Sequence, residues 1–244
     1  MIIYFSGSLN CKKVNNINGE FGLLTSYIEQ RKKKELKIPN SKKIFLDSGA
    51  YSVSTGKAVI DIDEYIEFIN KYKSLFEVYA NLDVIGNAKL TDRNQKYMES
   101  KGLKPLPTFH YGTDYNELNK MIKNYNYIGL GGLVPIAMKR KKMVRHLDNC
   151  FRIIKDKVKV HGWGITSRPL LFRYPFYSVD STSHIKWSAF RWEIYNEGLK
   201  MKRKRMMGSE NNVLLIKNTK AILQMVDEAT NLWNKRGIKY DTIS

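Results

Sequence analysis

The hydrophobic positions of this chain follow two alternating patterns. Short apolar and β-branched runs bounded by Gly, Pro and Asn predict strands, at residues 1–5, 43–47, 76–82, 105–109, 127–130, 158–161 and 176–179. Longer segments carry an apolar residue every three or four positions and predict helices, at residues 21–31, 63–72, 91–100, 116–125, 143–155 and 219–236. Nearly every predicted strand is therefore separated from the next by a helix.

This alternation predicts an α/β protein with parallel strands, because a helix between neighbouring strands makes a right-handed crossover. The chain has 244 residues, close to the ~250 residues of a (β/α)8 TIM-type barrel. We expect a single compact catalytic barrel domain over residues 1–244, closed by the helix at about 219–236. The eighth strand is predicted between Trp187 and Tyr195, and residues 200–212 are predicted to be basic and irregular.

Positive charge dominates the composition. The chain has 42 Lys and Arg against 23 Asp and Glu, which leaves a net charge of +19. Three basic clusters contribute to this excess, at residues 31–34, 139–142 and 200–205. A polyanion, most simply nucleic acid, would explain the clusters together, whereas any one of them could also be a solvated lysine-rich surface.

The number of cysteines and the hydropathy of the chain indicate in which cellular compartment the protein works. Cys11 and Cys150 are the two cysteines of the sequence, which is typical of a reduced, cytoplasmic protein and too few for a four-cysteine zinc site. No run approaches the ~18 apolar residues of a membrane span. Residues 1–10 lack a basic leader. We therefore expect a cytoplasmic protein without a membrane partner.

Polar residues and glycines stand where the predicted strands end: Asp47, Asp83, His110, Gly131-Gly132, His161 and Asp180. In a parallel barrel these ends gather on one rim, where active sites form. A single aspartate such as Asp180 is most simply a turn or cap residue, but three carboxylates and a Gly pair on one rim predict a site. The histidines show no HxH or HExxH spacing, so we predict no metal and no cofactor.

Several short segments resemble, in order, motifs of the tRNA-guanine transglycosylases. FLDSGAYS (45–52) resembles their DSGGFQ motif, and NLDVIG (81–86) looks like the segment with their base-recognition aspartate. FHYG (109–112) falls near the place of a VQGG-type segment, and LGGL (130–133) matches their GGL loop. HGWGIT with FYSVDS (161–166 and 176–181) resembles the segment leading to their nucleophilic aspartate. The resemblance covers about residues 43–183.

This chain differs from the tRNA-guanine transglycosylases in two respects. The chain is much shorter, and it lacks the Cys/His zinc subdomain that helps those enzymes engage tRNA. DSGAYS and YSVDSTS are more similar to the phage-associated, DpdA-like 7-deazaguanine DNA transglycosylases. Those enzymes exchange guanine in DNA for a 7-deazaguanine such as 7-cyano-7-deazaguanine. The resemblance implies two partners, DNA with a flipped or single-stranded guanine and a free 7-deazaguanine base. It also implies that a phage-encoded chain would work in the cytoplasm of a bacterial host.

The resemblance also implies roles for individual residues. Asp180 would be the nucleophile, and Asp47 the general acid/base. The residues that would bind the base are Asp83, Ser48, Gly131, Gly132, His110 and Tyr111. The cluster at Lys139, Arg140, Lys141 and Lys142 directly follows the GGL loop, so we expect it to hold backbone phosphates beside the flipped nucleotide.

The sequence leaves three alternatives open. A close variant would act on tRNA instead of DNA. A different class is a non-catalytic nucleic-acid-binding subunit, although Asp47, Asp83 and Asp180 together would then have no use. An unrelated barrel glycosidase with two aspartates is a further alternative, against which the positive charge and the guanine-type motifs both count. The oligomeric state also stays open, with a homodimer as one option.

Overall fold

The structure is a computed structural model that describes residues 1–9, 11–39, 42–198 and 200–239. In these residues eight parallel strands form one sheet: β1 (Ile2–Ser6), β2 (Gly22–Ser26), β3 (Lys43–Asp47), β4 (Val78–Tyr79), β5 (Thr108–His110), β6 (Tyr127–Gly131), β7 (Lys159–Gly162) and β8 (Ser178–Ser181). The spatial order is β4-β3-β2-β1-β8-β7-β6-β5. The positions 10, 40, 41, 199 and 240–244, which the predicted domain includes, lie outside the described residues.

A parallel bridge between Ala80 and Leu106 joins the two ends of this sheet. The Leu106 N–H donates to the Tyr79 carbonyl at 2.8 Å, and the Asn81 N–H donates to the Leu106 carbonyl at 3.1 Å. Because β4 and β5 are the outer strands in the spatial order, this pairing closes the ring. The predicted (β/α)8 TIM-type fold is confirmed.

Helices cover the outside of the ring: α1 (Lys12–Asn15), α2 (Tyr27–Gln30), α3 (Ala50–Ser54), α4 (Ile62–Tyr72), α5 (Ala88–Ser100), α6 (Tyr115–Asn124), α7 (Arg140–Ile154), α8 (Arg168–Leu171), α9 (Ser183–Ala189) and α10 (Asn211–Lys235). Short 3₁₀ turns lie at Lys73–Leu75 and Val134–Ile136. Several helices begin where an Asx side chain caps free N–H groups. The Asp61 carboxylate, for example, accepts from the Asp63 and Glu64 N–H groups at 2.8 and 3.1 Å.

Side chains alternate between two cores along each strand. Tyr4 and Phe45 point into the ring, where they pack with Leu24, Val78, Ala80, Leu106, Tyr127 and Tyr177. Their neighbours Phe5 and Ile44 instead pack in the larger core beneath the helices. Since successive side chains on a strand face opposite sides, the residue two positions after Phe45, which is Asp47, also faces the ring's interior.

One strand lies in a segment that the sequence pattern predicted to be helical. Residues 21–31 have helical spacing, yet Gly22–Ser26 is β2, and only Tyr27–Gln30 is helical. β2 pairs with both β1 and β3, and a Cβ on Gly22 would stand 2.3 Å from the Tyr4 ring. The pairing between two strands outweighs the local helical pattern, so the helix prediction for this segment is wrong.

The predictions for the segment after β8 are also wrong in part. Residues 187–195 do not supply a barrel strand, because α9 occupies their start and β9 (Trp192–Glu197) pairs antiparallel with β10 (Lys200–Arg205). The basic stretch at 200–205 is therefore a strand and not irregular. α10 begins at Asn211, well before residue 219. The hairpin is fixed to α10 by Asn218, whose side chain accepts from the Ile194 N–H at 2.8 Å and donates to the Trp192 carbonyl at 2.9 Å.

None of the helices in the described part of the chain combines the length and the apolar character needed to cross a lipid bilayer.

Candidate active site

The carboxyl ends of the strands bring the predicted residues to one mouth of the barrel. Asp47 and His110 are the last residues of β3 and β5, Gly131 is the last residue of β6, and Asp180 lies near the end of β8. Asp83 follows β4 closely. The structure therefore places the three carboxylates, His110 and the Gly pair on the same face of the barrel, which we call the mouth.

The carboxyl group of Asp47 is strongly perturbed by its surroundings. Burial raises its pKa to about 7, and the negative charges of Asp180 and Asp83 act in the same direction, while a hydrogen bond from the Gly49 N–H opposes them. The three aspartates are thus close enough to interact electrostatically. A carboxyl group with this pKa can both donate and accept a proton near neutral pH, as a general acid/base must.

The turn after β3 explains the DSG sequence. Gly49 has a φ of +89°, a conformation that side chains other than glycine rarely adopt. A Cβ at this position would also stand 2.6 Å from Ile28 Cδ1. Glycine thus allows the chain to turn directly into α3 and to aim its own N–H at Asp47. Ser48, between them, is buried.

Asp180 is held mainly through one of its oxygens. Oδ1 accepts a hydrogen bond from the Gly164 N–H at 2.6 Å and lies 3.5 Å from His161 Nε2. The Ser6 hydroxyl donates to Oδ2 over a longer 3.5 Å. The side chain is 13% exposed. Because Oδ1 accepts the short bond from the Gly164 N–H, whereas Oδ2 has only the long contact with the Ser6 hydroxyl, Oδ2 is the less constrained oxygen at the mouth.

A buried chain of hydrogen bonds leads to Asp180 from inside the barrel. The Tyr127 hydroxyl lies 2.6 Å from the Ser178 hydroxyl, which lies 2.6 Å from His161 Nδ1. Burial lowers the pKa of His161 and raises that of Tyr127, so the imidazole is neutral and the phenol is protonated.

The negative charge of Asp180 favours one direction of donation along this chain. If Tyr127 donates to Ser178, and Ser178 donates to Nδ1, the imidazole proton is on Nε2 and faces the Asp180 carboxylate. The reverse direction would turn the Nε2 lone pair toward a carboxylate. The Nε2–H tautomer of His161 is therefore favoured, and its N–H faces Asp180 Oδ1 at 3.5 Å without forming a regular hydrogen bond.

Asp83 is anchored by its neighbours. His110 Nε2 lies 3.3 Å from Asp83 Oδ2, and the Asn81 amide donates to Oδ1 at 3.2 Å. Both side chains of the Asp83–His110 pair are almost fully buried. An ionised carboxylate has about four acceptor sites, so these contacts leave room for donors on a ligand.

The glycines of β6 allow Trp163 to lie across the strand. A Cβ on Gly129 would stand 2.5 Å from Trp163 Nε1, and one on Gly131 would stand 3.0 Å from Trp163 Cδ1 and 3.3 Å from His110 Cδ2. Trp163 also donates to the Thr108 hydroxyl at 3.2 Å and packs against His161, with 4.5 Å between the ring centres. The Gly-rich strand therefore makes space for an aromatic surface beside His110.

Tyr111 does not share the position of His110. Its ring packs edge-on against His146 of α7, with 5.1 Å between the ring centres, and its N–H donates to the Gly131 carbonyl at 3.0 Å. The side chain is therefore directed toward α7, and the structure does not bring it into the row of inward-facing groups formed by Asp47, His110 and Asp180.

The basic cluster at residues 139–142 lies beside the mouth. Lys139 precedes α7, and Arg140, Lys141 and Lys142 form its first turn; all four are exposed. This end of α7 is joined to the carboxyl end of β6 by a short loop, and the free N–H groups of a helix start add positive potential there.

Sequence reasoning missed the groups that hold Asp180. His161 stood among the strand-end residues without an assigned role, and Ser178, Tyr127, Gly164 and Ser6 were not considered. The available signal was alternation, since His161 and Ser178 occupy inward positions on two strands. Their contact depends on the register that pairs His161 with Ser178, which the sequence does not display.

Among the described residues, no group of three or more His, Cys, Asp or Glu side chains is arranged so that it could hold a metal ion.

Comparison with known proteins bears on the fold. No protein-family model matches the chain, and no curated protein matches it. Among solved structures, the chain is similar to a mutant tryptophan synthase alpha-subunit from the hyperthermophile Pyrococcus furiosus. The sequence identity is 13% and the TM-score 0.52, over 91% of this chain and 97% of that one. At this identity the likeness shows a TIM barrel and carries no information on activity.

Proposed function

We propose that this protein is a DNA guanine transglycosylase, which exchanges guanine in DNA for a 7-deazaguanine base. The observation that carries the proposal is electrostatic: Asp47, with a pKa raised to about 7, shares the mouth with the carboxylates of Asp180 and Asp83. One group is thereby suited to carry a proton while a second stays available as a nucleophile, a division of roles common in glycosyl transfer.

The first half of the exchange forms a covalent intermediate. Asp180 Oδ2, the less constrained oxygen, attacks C1′ of the deoxyribose while the bond from C1′ to guanine N9 breaks. Asp47 in its protonated form supplies a proton to the departing guanine, and negative charge on Asp180 stabilises the oxocarbenium-like transition state. The products are a sugar bonded to Asp180 and free guanine.

The second half reverses these steps with a different base. Ionised Asp47 removes the N9 proton of a 7-deazaguanine, and N9 attacks C1′ while the bond from C1′ to Asp180 breaks. Two displacements on opposite faces restore the original configuration at C1′. Asp180 and Asp47 end in their starting protonation states, so the exchange needs no co-reactant.

Recognition of the base falls to the Asp83–His110 pair and the Gly loop. Guanine and 7-deazaguanine share the N–H donors at N1 and the exocyclic amine, and a carboxylate such as Asp83 can accept both. Gly131 and Gly132 lie beside this pair, and the space that a Cβ would need at either position is taken by neighbours that include His110, so the glycines allow the pocket wall to pack closely around His110. The same pocket could therefore hold both bases in turn.

Charge supports a nucleic acid as the second substrate. The net charge is +19, and the cluster at residues 139–142 lies beside the mouth. The choice of DNA over tRNA depends on the closer resemblance of DSGAYS and YSVDSTS to the DNA transglycosylases. tRNA is the alternative that an experiment must separate.

The deciding experiment incubates the protein with guanine-containing DNA or with tRNA, each beside a radiolabelled 7-deazaguanine such as 7-cyano-7-deazaguanine. We expect label to be retained by DNA and not by tRNA. Label retained by tRNA alone would show that tRNA, and not DNA, is the substrate. Label in neither polymer, with a panel of 7-deazaguanines, would exclude base exchange and favour a non-catalytic binding subunit.

A further inference from the structure

Exposed apolar side chains are concentrated at the mouth end of the barrel. In the described part of the chain, the large hydrophobic side chains that stand exposed are Tyr51, Val53, Val59, Leu75, Leu90, Tyr111, Val134, Met138, Phe190, Tyr195, Met207 and Val213. Seven of them lie between the carboxyl end of a barrel strand and the first turn of the main helix that follows it: Tyr51, Val53, Val59, Leu90, Tyr111, Val134 and Met138. The mouth therefore presents both positive charge and apolar surface to whatever binds there.

Met138 is the most exposed of these side chains, at 97%. It lies in the β6–α7 turn, between the Gly pair and the basic cluster at residues 139–142. Val134, in the same turn, is 62% exposed. An isolated exposed apolar residue is common on protein surfaces, but this one is presented between two parts of the proposed site.

The β6–α7 turn is an ordered one. Leu133 and Ile136 are buried and anchor it to the core. The Ile136 N–H donates to the Leu133 carbonyl at 3.0 Å, and the Lys139 N–H donates to the Ile136 carbonyl at 2.9 Å. Pro135 further restricts the backbone. The backbone that carries Met138 is therefore held in place, and removal of this exposed side chain would not disturb the core.

A partner that satisfies this surface must offer phosphates and a stacked apolar interior within a few ångströms of each other. Duplex DNA opened at one base step does so, and apolar wedges such as Met enter such steps in proteins that distort DNA. A flipped guanine leaves a gap in the stack, which a side chain near the pocket can fill.

We propose that Met138 enters the base stack of duplex DNA as the target guanine leaves it, while residues 139–142 hold the flanking phosphates. This inference depends on the proposed function, because it assigns the duplex form of the substrate to the same site. It predicts that Met138 matters for opening the duplex and not for the chemistry at Asp180.

The test compares base exchange on one guanine-containing sequence in single-stranded and in duplex form. Met138→Ala should lower the ratio of duplex to single-strand rates by about tenfold, since stack opening is the step that it assists. Met138→Leu should restore most of the ratio. Met207→Ala is the matched control, because Met207 is also strongly exposed, at 78%, outside the β6–α7 turn.

A second readout does not need turnover. With 2-aminopurine beside the target guanine of a duplex, the wild-type protein should raise the fluorescence by unstacking, and Met138→Ala should raise it less than Met207→Ala does. The proposal that Met138 enters the base stack would be wrong if Met138→Ala left both the duplex to single-strand rate ratio and the fluorescence unchanged. It would also be wrong if Met138→Ala lowered the rates on single-stranded and duplex DNA equally. If the wild-type protein unstacks the probe but exchanges no base, the proposed function fails while the wedge stands.

Discussion

His161 Nε2 lies 3.5 Å from Asp180 Oδ1, and the ring behind it is neutral and fully buried. The carboxylate favours the ring proton on Nε2, because an N–H and not a lone pair then faces it, and the Tyr127–Ser178 chain can then donate to Nδ1. His161 is thus a positioning residue for Asp180 and not a proton donor near neutral pH.

Removal of the link next to His161 should impair turnover more than binding. In Ser178→Ala, Nδ1 no longer has a donor and the tautomer is no longer fixed, so we expect kcat for base exchange to fall by at least about tenfold, as for other groups that orient a reacting side chain. KM for DNA should change little. Tyr127→Phe, which keeps Ser178 as donor to Nδ1, should have a smaller effect. An effect confined to KM, or a larger drop in kcat for Tyr127→Phe, would contradict this role.

Asp180 itself should be detectable as the point of covalent attachment. When wild-type protein meets guanine-containing DNA and is then denatured, a fraction should remain bonded to DNA, because the first displacement precedes the second. Asp180→Ala and Asp180→Asn should give no bonded species and no exchange. Thermal unfolding of both variants checks that they are folded, and trapping by either one would remove Asp180 as nucleophile.

Much of the fold was predictable because each strand signal is local. Runs such as residues 43–47 and 127–130 end at, or directly before, a polar or glycine residue, and a barrel requires these ends to meet. β2 escaped prediction because residues 21–31 also fit a helical period, and its strand form depends on β1 and β3. The hairpin escaped because β10 has few apolar residues; contacts of Arg203 with the Trp187 and Trp192 rings, at 4.4 and 5.0 Å, help to hold it.

The site was predictable to the extent that it depends on strand ends. Alternation and the strand-end rule place Asp47, His110 and Asp180 at one mouth from sequence alone. The contact between His161 and Ser178 could not be predicted, since it depends on the register of β7 against β8. The direction of Tyr111 toward α7 likewise follows from packing against His146, which no local pattern displays.

Asp47 should make the protein less stable as the pH rises from about 4 to about 7. Its pKa is about 7 when folded, against an ordinary value of 3.8. Between these values the unfolded carboxyl is ionised while the folded one keeps its proton, so the free energy of unfolding falls with rising pH. Asp47→Asn removes this effect. At pH 8 it should be more stable than wild type by about 1–3 kcal/mol, a difference that disappears near pH 4.

Thermal or denaturant unfolding across this pH range measures the difference between Asp47→Asn and wild type. Asp156→Asn is a suitable control, because Asp156 is an exposed carboxylate in the turn after α7. A constant difference between Asp47→Asn and wild type from pH 4 to pH 8 would show that the Asp47 carboxyl does not titrate in this window. Base exchange by Asp47→Asn should be strongly reduced at every pH, since the amide cannot exchange a proton.

The basic cluster at residues 139–142 should contribute affinity through phosphates and not through bases. Changing all four residues to Glu should weaken DNA binding for every sequence, and should reduce the slope of log affinity against log salt by about one for each phosphate that is no longer bound. Fluorescence anisotropy at several salt concentrations measures both quantities.

The matched control changes to Glu four exposed lysines on loops that precede strands, at the opposite end of the barrel: Lys101, Lys104, Lys155 and Lys157. The net charge falls by the same amount in both variants, so an equal change in slope would show that only overall charge matters. A change confined to the 139–142 variant would place the DNA backbone beside the mouth.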